Sequence, residues 1–296
     1  MDLMRLIQIL ALAALQGVAE LFPISSLGHT VILPGLLGWG NLIKQDTFLP
    51  LVVLLHLGTA VALFIFFWRD WVTLITAFVR TSVAGRLDAH PQGRTIWLVL
   101  VGTIPAGLLG VVFKDQIQNL FFASPVPIIP AAFLALNGAV LFVGERLRQR
   151  SEPEGVDRQK QEQSFKKIND LTFVQAAYIG LIQAAALVPG ISRSGVSMVA
   201  GMSARLSHEE AARFSFLLAT PIIAGAALVE VPILFEPKNS GMLPYALIGG
   251  VVAALAAFVS VKFLMRYFEV GRLTPFAYYC LAAGTLAFLI LLPRAL

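Results

Sequence analysis

Charge is scarce in this chain: 13% of its 296 residues are Asp, Glu, Lys or Arg, where soluble globular proteins carry about 25%. Cysteine is nearly absent. Cys280 stands alone inside an apolar run, which excludes an internal disulfide and a cysteine-based metal site. Acids are almost missing from the long apolar runs; Glu230 and Glu269 lie near run ends, where an interfacial position accounts for them. What fills the chain is hydrophobic, at 57% of residues and a mean hydropathy of +0.80. That excludes a soluble domain, a disordered chain and a disulfide scaffold. The runs are long and unbroken rather than alternating in segments of about ten residues, as a membrane barrel requires. The fold class is therefore an all-α polytopic membrane protein. The net charge of +5 reads as Lys and Arg flanking spans on the cytoplasmic side, not as a nucleic-acid surface.

A crossing needs about 20 apolar residues. Leu49–Trp68, Thr95–Phe113, Pro125–Gly144, Phe214–Phe235, Met242–Phe268 and Leu273–Leu292 qualify, which predicts six spans. Two further apolar regions are interrupted. Leu3 to about Ile43 carries Glu20, Pro23, Ser25, Ser26 and His29; Phe173 to about Ala204 carries Pro189, Gly190, Ser192, Arg193 and Ser194. Each reads as two short helices around a polar break. Irregular backbone at membrane depth survives only where protein or a water-filled cavity surrounds it, so each region is a candidate re-entrant hairpin.

The two regions repeat at a constant offset of 167 residues: Gln8 with Gln175, Gln16 with Gln183, Ser25 with Ser192, Gly28 with Gly195, and on to Gly58 with Gly225. This predicts one integral membrane domain over residues 1–296. It divides into a first repeat of about 1–144, a loop at 145–171 and a second repeat of about 172–296. Each repeat is a re-entrant hairpin followed by three transmembrane helices. Three is odd, so the second half is inverted relative to the first. The N-terminal run belongs to the repeat, which argues against a cleaved signal peptide.

One orientation gathers sixteen Lys and Arg on one side. Seven lie in Glu145–Asp170, four in Arg69–Arg94, and the rest are Lys262, Arg266, Arg272, Arg205 and Arg213. Lys44, Lys114, Lys238, Arg5 and Arg294 fall on the other. The positive-inside rule puts the sixteen in the cytoplasm and both termini outside. The Glu145–Asp170 segment, with thirteen charges of mixed sign, reads as a solvated loop.

The breaks carry the chemistry. Gln16 and Glu20 are four residues apart, on one helix face. Pro23 stops that helix, and Ser25 or Ser26 can cap the next. His29 follows over the serines. In the second break, Pro189-Gly190 ends a helix and the serines open another, whose free N–H groups and positive dipole end suit an anion. Arg193 at that start adds a planar fork that matches phosphate oxygens. Serines in membrane helices are usually packing residues. A charge at mid-membrane costs about 2.5–3.5 kcal/mol on insertion scales, which makes Glu20, His29 and Arg193 functional candidates. His56, mid-span without polar neighbours, reads as a core histidine; His90 and His208, in polar loops, read as surface residues. Brought together, the breaks form a phosphate site with acid/base capacity. On the residues alone, hydrolysis and transport of a phosphorylated or acidic solute both stay open, because broken helices in inverted repeats are also a transporter architecture.

The motif Gln16-Gly-x-x-Glu20-x-x-Pro23-Ile-Ser25-Ser26-x-Gly28-His29, followed by Pro189-Gly190-x-Ser192-Arg193-Ser194-Gly195, resembles the undecaprenyl-pyrophosphate phosphatase family, the bacitracin-resistance proteins. Phe214-Ser215-Phe216-Leu217-Leu218-Ala219-x-Pro221 and the span end Phe67-Trp68-Arg69 extend the likeness over nearly the whole chain. The resemblance implies removal of one phosphate from undecaprenyl pyrophosphate at the outer face of a bacterial inner membrane. That regenerates the lipid carrier for peptidoglycan synthesis and confers bacitracin resistance. It implies that Glu20 binds a metal or activates water, Ser26 is the candidate nucleophile and His29 its acid/base partner. Arg193 would hold the pyrophosphate with Ser192, Ser194 and Ser197, beside Ser25 and Gln16. The implied cofactor is a divalent cation, Mg or Ca, on Glu20 and Gln16. Many members carry Glu where this chain has Gln16; an amide offers an oxygen but no charge, so the metal site here has one carboxylate. The implied partners are a polyprenyl pyrophosphate lipid and the bilayer, with no nucleic acid and a homodimer as the candidate oligomer. The alternative is a transporter or flippase for a phosphorylated lipid or anionic solute.

Overall fold

The computed structural model describes residues 2–39, 42, 48–113, 116, 126–150, 164–237 and 241–295. Lys44, Lys114, Lys238 and residues 151–163 of the 145–171 segment lie outside them. The described residues are helical: α1 (Leu3–Ala19), α2 (Ser26–Leu37), α3 (Phe48–Phe66), α4 (Trp68–Ala84), α5 (Gly93–Val112), α6 (Ile128–Arg150), α7 (Phe173–Gln183), α8 (Arg193–Ser203), α9 (His208–Glu230), α10 (Leu243–Tyr267) and α11 (Thr274–Ala295). Six of these, α3, α5, α6, α9, α10 and α11, are long and apolar enough to span. They match the six expected spans with shifts of a few residues at their ends. α9 begins six residues before the apolar run because the Ser207 hydroxyl accepts from Glu210 N–H and caps it.

The helices at the breaks are short because capping residues interrupt them. Asp2 caps α1 and Thr172 caps α7, the latter in a reciprocal box with Gln175. Ser25 caps α2 by accepting from Gly28 N–H at 3.2 Å, and Ser192 caps α8 by accepting from Gly195 N–H at 3.1 Å. Ser25 pays for its position with φ +69°, a left-handed conformation that costs a non-glycine residue about 1–3 kcal/mol. α7 ends at Gln183, earlier than Pro189-Gly190, and continues as a 3-10 turn over Ala184–Leu187. The chain then reverses through Gly190 at φ +104°.

Packing brings the two breaks into contact. α1 lies on α10, α7 on α5, α3 on both α9 and α10, and α6 on α11. In a lipid setting such contacts depend on small residues that let backbones approach. At the centre, a Cβ on Gly28 would sit 2.9 Å from Gly190 Cα, and one on Gly190 would sit 2.4 Å from the Pro130 carbonyl. The two breaks therefore meet backbone to backbone, against α6.

Between Arg69 and Arg94, a segment that entered the sequence reading only through its four arginines, the structure has a helix. α4 has three faces. Trp71, Leu74 and Ala77 are buried against the bundle. Trp68, Val72, Ile75, Val79 and Val83 are exposed along a second face, and Arg69, Thr73, Thr76 and Arg80 along a third. A buried face, a bare apolar face and a basic polar face suit a helix lying in the membrane interface.

Candidate active site

Glu20 follows the last residue of α1 and is 6% exposed. Its Oε2 accepts from the Ser26 hydroxyl at 2.5 Å and from Gln16 Nε2 at 3.0 Å. Its Oε1 accepts from Arg193 Nη2 at 2.7 Å and Nε at 3.3 Å, while Arg193 Nη1 donates to the Ser215 carbonyl at 3.2 Å. A buried carboxylate at membrane depth needs such partners, since its desolvation is repaid only by well-placed donors and charge.

One partner was not anticipated. His56 of α3 places Nε2 3.1 Å from Glu20 Oε2 and Nδ1 2.8 Å from the Val52 carbonyl. Both ring nitrogens face acceptors, an arrangement that a doubly protonated imidazolium satisfies in full. The reading of His56 as a core histidine without polar neighbours is therefore corrected. The rule that made Glu20 a candidate, an ionisable group inside an apolar run, applied to His56 as well. Its partner lies on another helix, which sequence spacing does not reveal.

A cavity of about 270 Å³ opens on this cluster. Glu20, Ser25, Ser26, His56, Ser192 and Arg193 line its polar floor; Leu49, Val52, Val53, Leu187, Ile222, Ile223 and Ala226 form apolar walls. Gln16 sits behind Glu20, fully buried, with its Oε1 unpartnered.

Three candidate residues stand elsewhere. His29 turns away from the cavity: Nδ1–H donates to the Ser25 carbonyl at 2.7 Å, and Nε2 meets the Tyr279 hydroxyl at 2.8 Å, with the two rings stacked. Ser194 donates to the Phe22 carbonyl at 3.2 Å. Ser197 donates to the Arg193 carbonyl at 2.7 Å and bonds the Ser215 hydroxyl at 2.7 Å. These serines tie α8 to the first break and to α9. His208 is not a surface residue either: it is buried at the start of α9, with Nε2 2.8 Å from Glu145 Oε2.

The donors do not fit a resident divalent cation. Glu20 is the cavity's one acid, and its oxygens are already taken up by Arg193, His56, the Ser26 hydroxyl and the Gln16 amide. Among the described residues no group of three or more His, Cys, Asp or Glu could hold a metal. A cation on Glu20 would have to displace Arg193 or His56.

What the arrangement offers is a guanidinium and an imidazole around one carboxylate, a hydroxyl held on that carboxylate, and a helix N-terminus. All face a cavity with a polar floor and apolar walls. It suits an anionic group carried on a hydrophobic chain. A family model described as bacitracin resistance protein BacA matches residues 9–286. The chain is 48% identical to an undecaprenyl-diphosphatase of Acidiphilium cryptum over 286 residues, covering 95% of this chain and 96% of that protein. It is 44% identical to an undecaprenyl-diphosphatase of Mycolicibacterium paratuberculosis, covering 94% of each. It is 43% identical to undecaprenyl-diphosphatase 2 of Chromobacterium violaceum, covering 97% of this chain and 99% of that protein.

Proposed function

The chain belongs to the family of the bacitracin resistance protein BacA, and we propose that Glu20, Ser26, His56 and Arg193 carry its reaction. It is a multi-pass membrane hydrolase that converts undecaprenyl pyrophosphate to undecaprenyl phosphate and inorganic phosphate. The observation that carries the site assignment is the 2.5 Å bond from the Ser26 hydroxyl to Glu20, at the floor of the cavity.

Glu20 takes the Ser26 proton, and Ser26 Oγ attacks the terminal phosphorus. The bond from that phosphorus to the bridging oxygen breaks, and the bridging oxygen leaves on undecaprenyl phosphate. Glu20 hands that proton to the departing oxygen; water then attacks the phosphoserine, Glu20 takes the water's proton and returns it to Ser26 Oγ, and inorganic phosphate departs. Arg193 moves its fork from Glu20 Oε1 to the phosphate oxygens, where charge builds up during transfer. Two Arg193 bonds to one oxygen, with the third nitrogen on the Ser215 carbonyl, hold the guanidinium at the cavity edge beforehand. The isoprenyl chain lies along Leu49, Val53, Ile222 and Ala226. No step runs through a metal ion.

The site faces the periplasm in this reading. The cavity walls come from the Phe48 end of α3 and the Glu230 end of α9, and the distribution of the sixteen basic residues supports an outward position for those ends. The inverted repeat gains support from the packing: α1 meets α10 as α7 meets α5, while α3 with α9 and α6 with α11 pair with each other, as a two-fold axis in the membrane plane requires.

Phosphate release by the purified protein in detergent tests the activity, since hydrolysis needs one compartment and transport needs two. Acid quenching during turnover tests the site: a phosphoserine at Ser26 and loss of turnover in Ser26→Ala are expected. Turnover by Ser26→Ala within about threefold of the parent would make water the direct nucleophile.

A further inference from the structure

Asn137 of α6 is fully buried and contacts neither substrate cavity nor solvent. Its side-chain amide nevertheless joins both breaks. Nδ2 donates to the Pro23 carbonyl at 3.0 Å, and Oδ1 accepts from Ser192 N–H at 2.9 Å. Pro23 lies midway between Glu20 and Ser26. Ser192 is the cap of α8 and immediately precedes Arg193.

The amide itself is held firmly. Nδ2 also meets Cys280 Sγ of α11 at 3.5 Å. Beside it, a Cβ on Gly138 would come within 2.6 Å of Leu281 N, so α6 and α11 pack in backbone contact. The paired helices form a platform from which one side chain reaches the carbonyl of the first break and the N–H of the second.

We propose that Asn137 is a positioning residue for hydrolysis: it sets the distance between the Glu20–Ser26 half of the site and Arg193. This inference rests on the reading of the site given above. Satisfying two backbone groups at membrane depth would by itself be a structural service. The functional claim is stronger, because the two groups belong to the two loops that share the chemistry. Ser194 adds a second tie between the same loops through its bond to the Phe22 carbonyl, so the breaks remain joined when Asn137 is changed. What changes is their register. Misplacement of about 1 Å is enough to cost on the order of 100-fold in rate.

The test uses the full-length protein in detergent with undecaprenyl pyrophosphate. Asn137→Leu removes both bonds at similar volume, and Asn137→Ala removes them without adding bulk. Each is measured per folded molecule, after size-exclusion chromatography and a thermal melt. The expected result is a kcat lower by about 30-fold to 100-fold, with KM changed by less than about threefold. In the Arg193→Lys background the Asn137→Leu loss should shrink severalfold, because the two residues act through one geometry. A folded Asn137→Leu or Asn137→Ala protein with kcat within twofold of the parent would overturn the proposal. So would full multiplication of the Asn137 and Arg193 losses, which marks independent roles. A parent protein that releases no phosphate would instead refute the assigned reaction.

Discussion

Nε2 of His56 and Oε2 of Glu20 lie 3.1 Å apart, across the interface between α3 and the first break. The pair joins α3 to the end of α1, so Glu20 is held by residues from three elements: His56, Arg193 and its own helix neighbour Gln16. His56→Leu should lower kcat by about 100-fold, the scale of a lost proton donor or acceptor. His56→Gln should lose less, because its amide can still donate to Glu20. Phosphate release at saturating substrate separates the two; equal rates for the parent and the Leu variant would reduce His56 to packing.

Arg193→Lys should lose most of the activity although the charge is kept. Three guanidinium nitrogens are used in fixed directions, two on Glu20 and one on the Ser215 carbonyl, and a lysine ammonium on its flexible stem cannot reproduce that fork. A kcat loss of about 30-fold or more is expected. A near-parental rate would show that a point charge suffices.

The six spans were legible because their length and apolarity leave little choice, and the breaks because Pro23, Ser25, Pro189, Gly190 and Ser192 are residues that stop or cap helices. Glu20 and Arg193 stood out as charges in apolar surroundings. The serines did not sort themselves: a hydroxyl that faces a cavity, as in Ser26, and one that bonds the preceding turn, as in Ser197, look alike in sequence. His29 looked catalytic because helical spacing places it over Ser25 and Ser26. The Ser25 carbonyl and Tyr279 then draw the ring to the other side. α4 was not read as an element because two of its three faces are apolar while the third carries Arg69 and Arg80, which break the run before it reaches the length of a span.

His29 acts through Ser25 in this structure. Its Nδ1 and its backbone N–H both donate to the Ser25 carbonyl, which steadies a residue held at φ +69° next to Ser26. His29→Asn, whose amide can donate to the same carbonyl, should therefore keep several-fold more activity than His29→Ala, with the pH–rate profile unchanged. Equal loss in both, with one limb of the profile removed, would return His29 to an acid/base role.

Gln16→Glu places a second carboxylate one turn from Glu20, on the same face. Gln16 is fully buried with its Oε1 unpartnered, so a carboxylate there would face Glu20 with no donor between the two charges, which favours a cation. The variant should remain active and should be stimulated by Mg or Ca more strongly than the parent, read as recovery of rate after chelator treatment. A folded but inactive variant would show that the Gln16 amide bond to Glu20 has a role that a carboxylate cannot fill.

Orientation can be tested independently of activity. Cys280 is buried and meets Asn137, and Cys280→Ser keeps an acceptor there, which gives a cysteine-free background. Ser164, exposed just before α7, belongs to the basic side; Gly241, exposed just before α10, belongs to the other. Asn239, two positions earlier in the chain, lies outside the described residues. In intact cells a cysteine at Ser164 should be protected from a membrane-impermeant thiol reagent and one at Gly241 should react. The cavity walls are drawn from the ends of α3 and α9 on the Gly241 side. The opposite labelling pattern would therefore move the site to the cytoplasmic leaflet and overturn the assignment of the outer face, whatever the rate of hydrolysis.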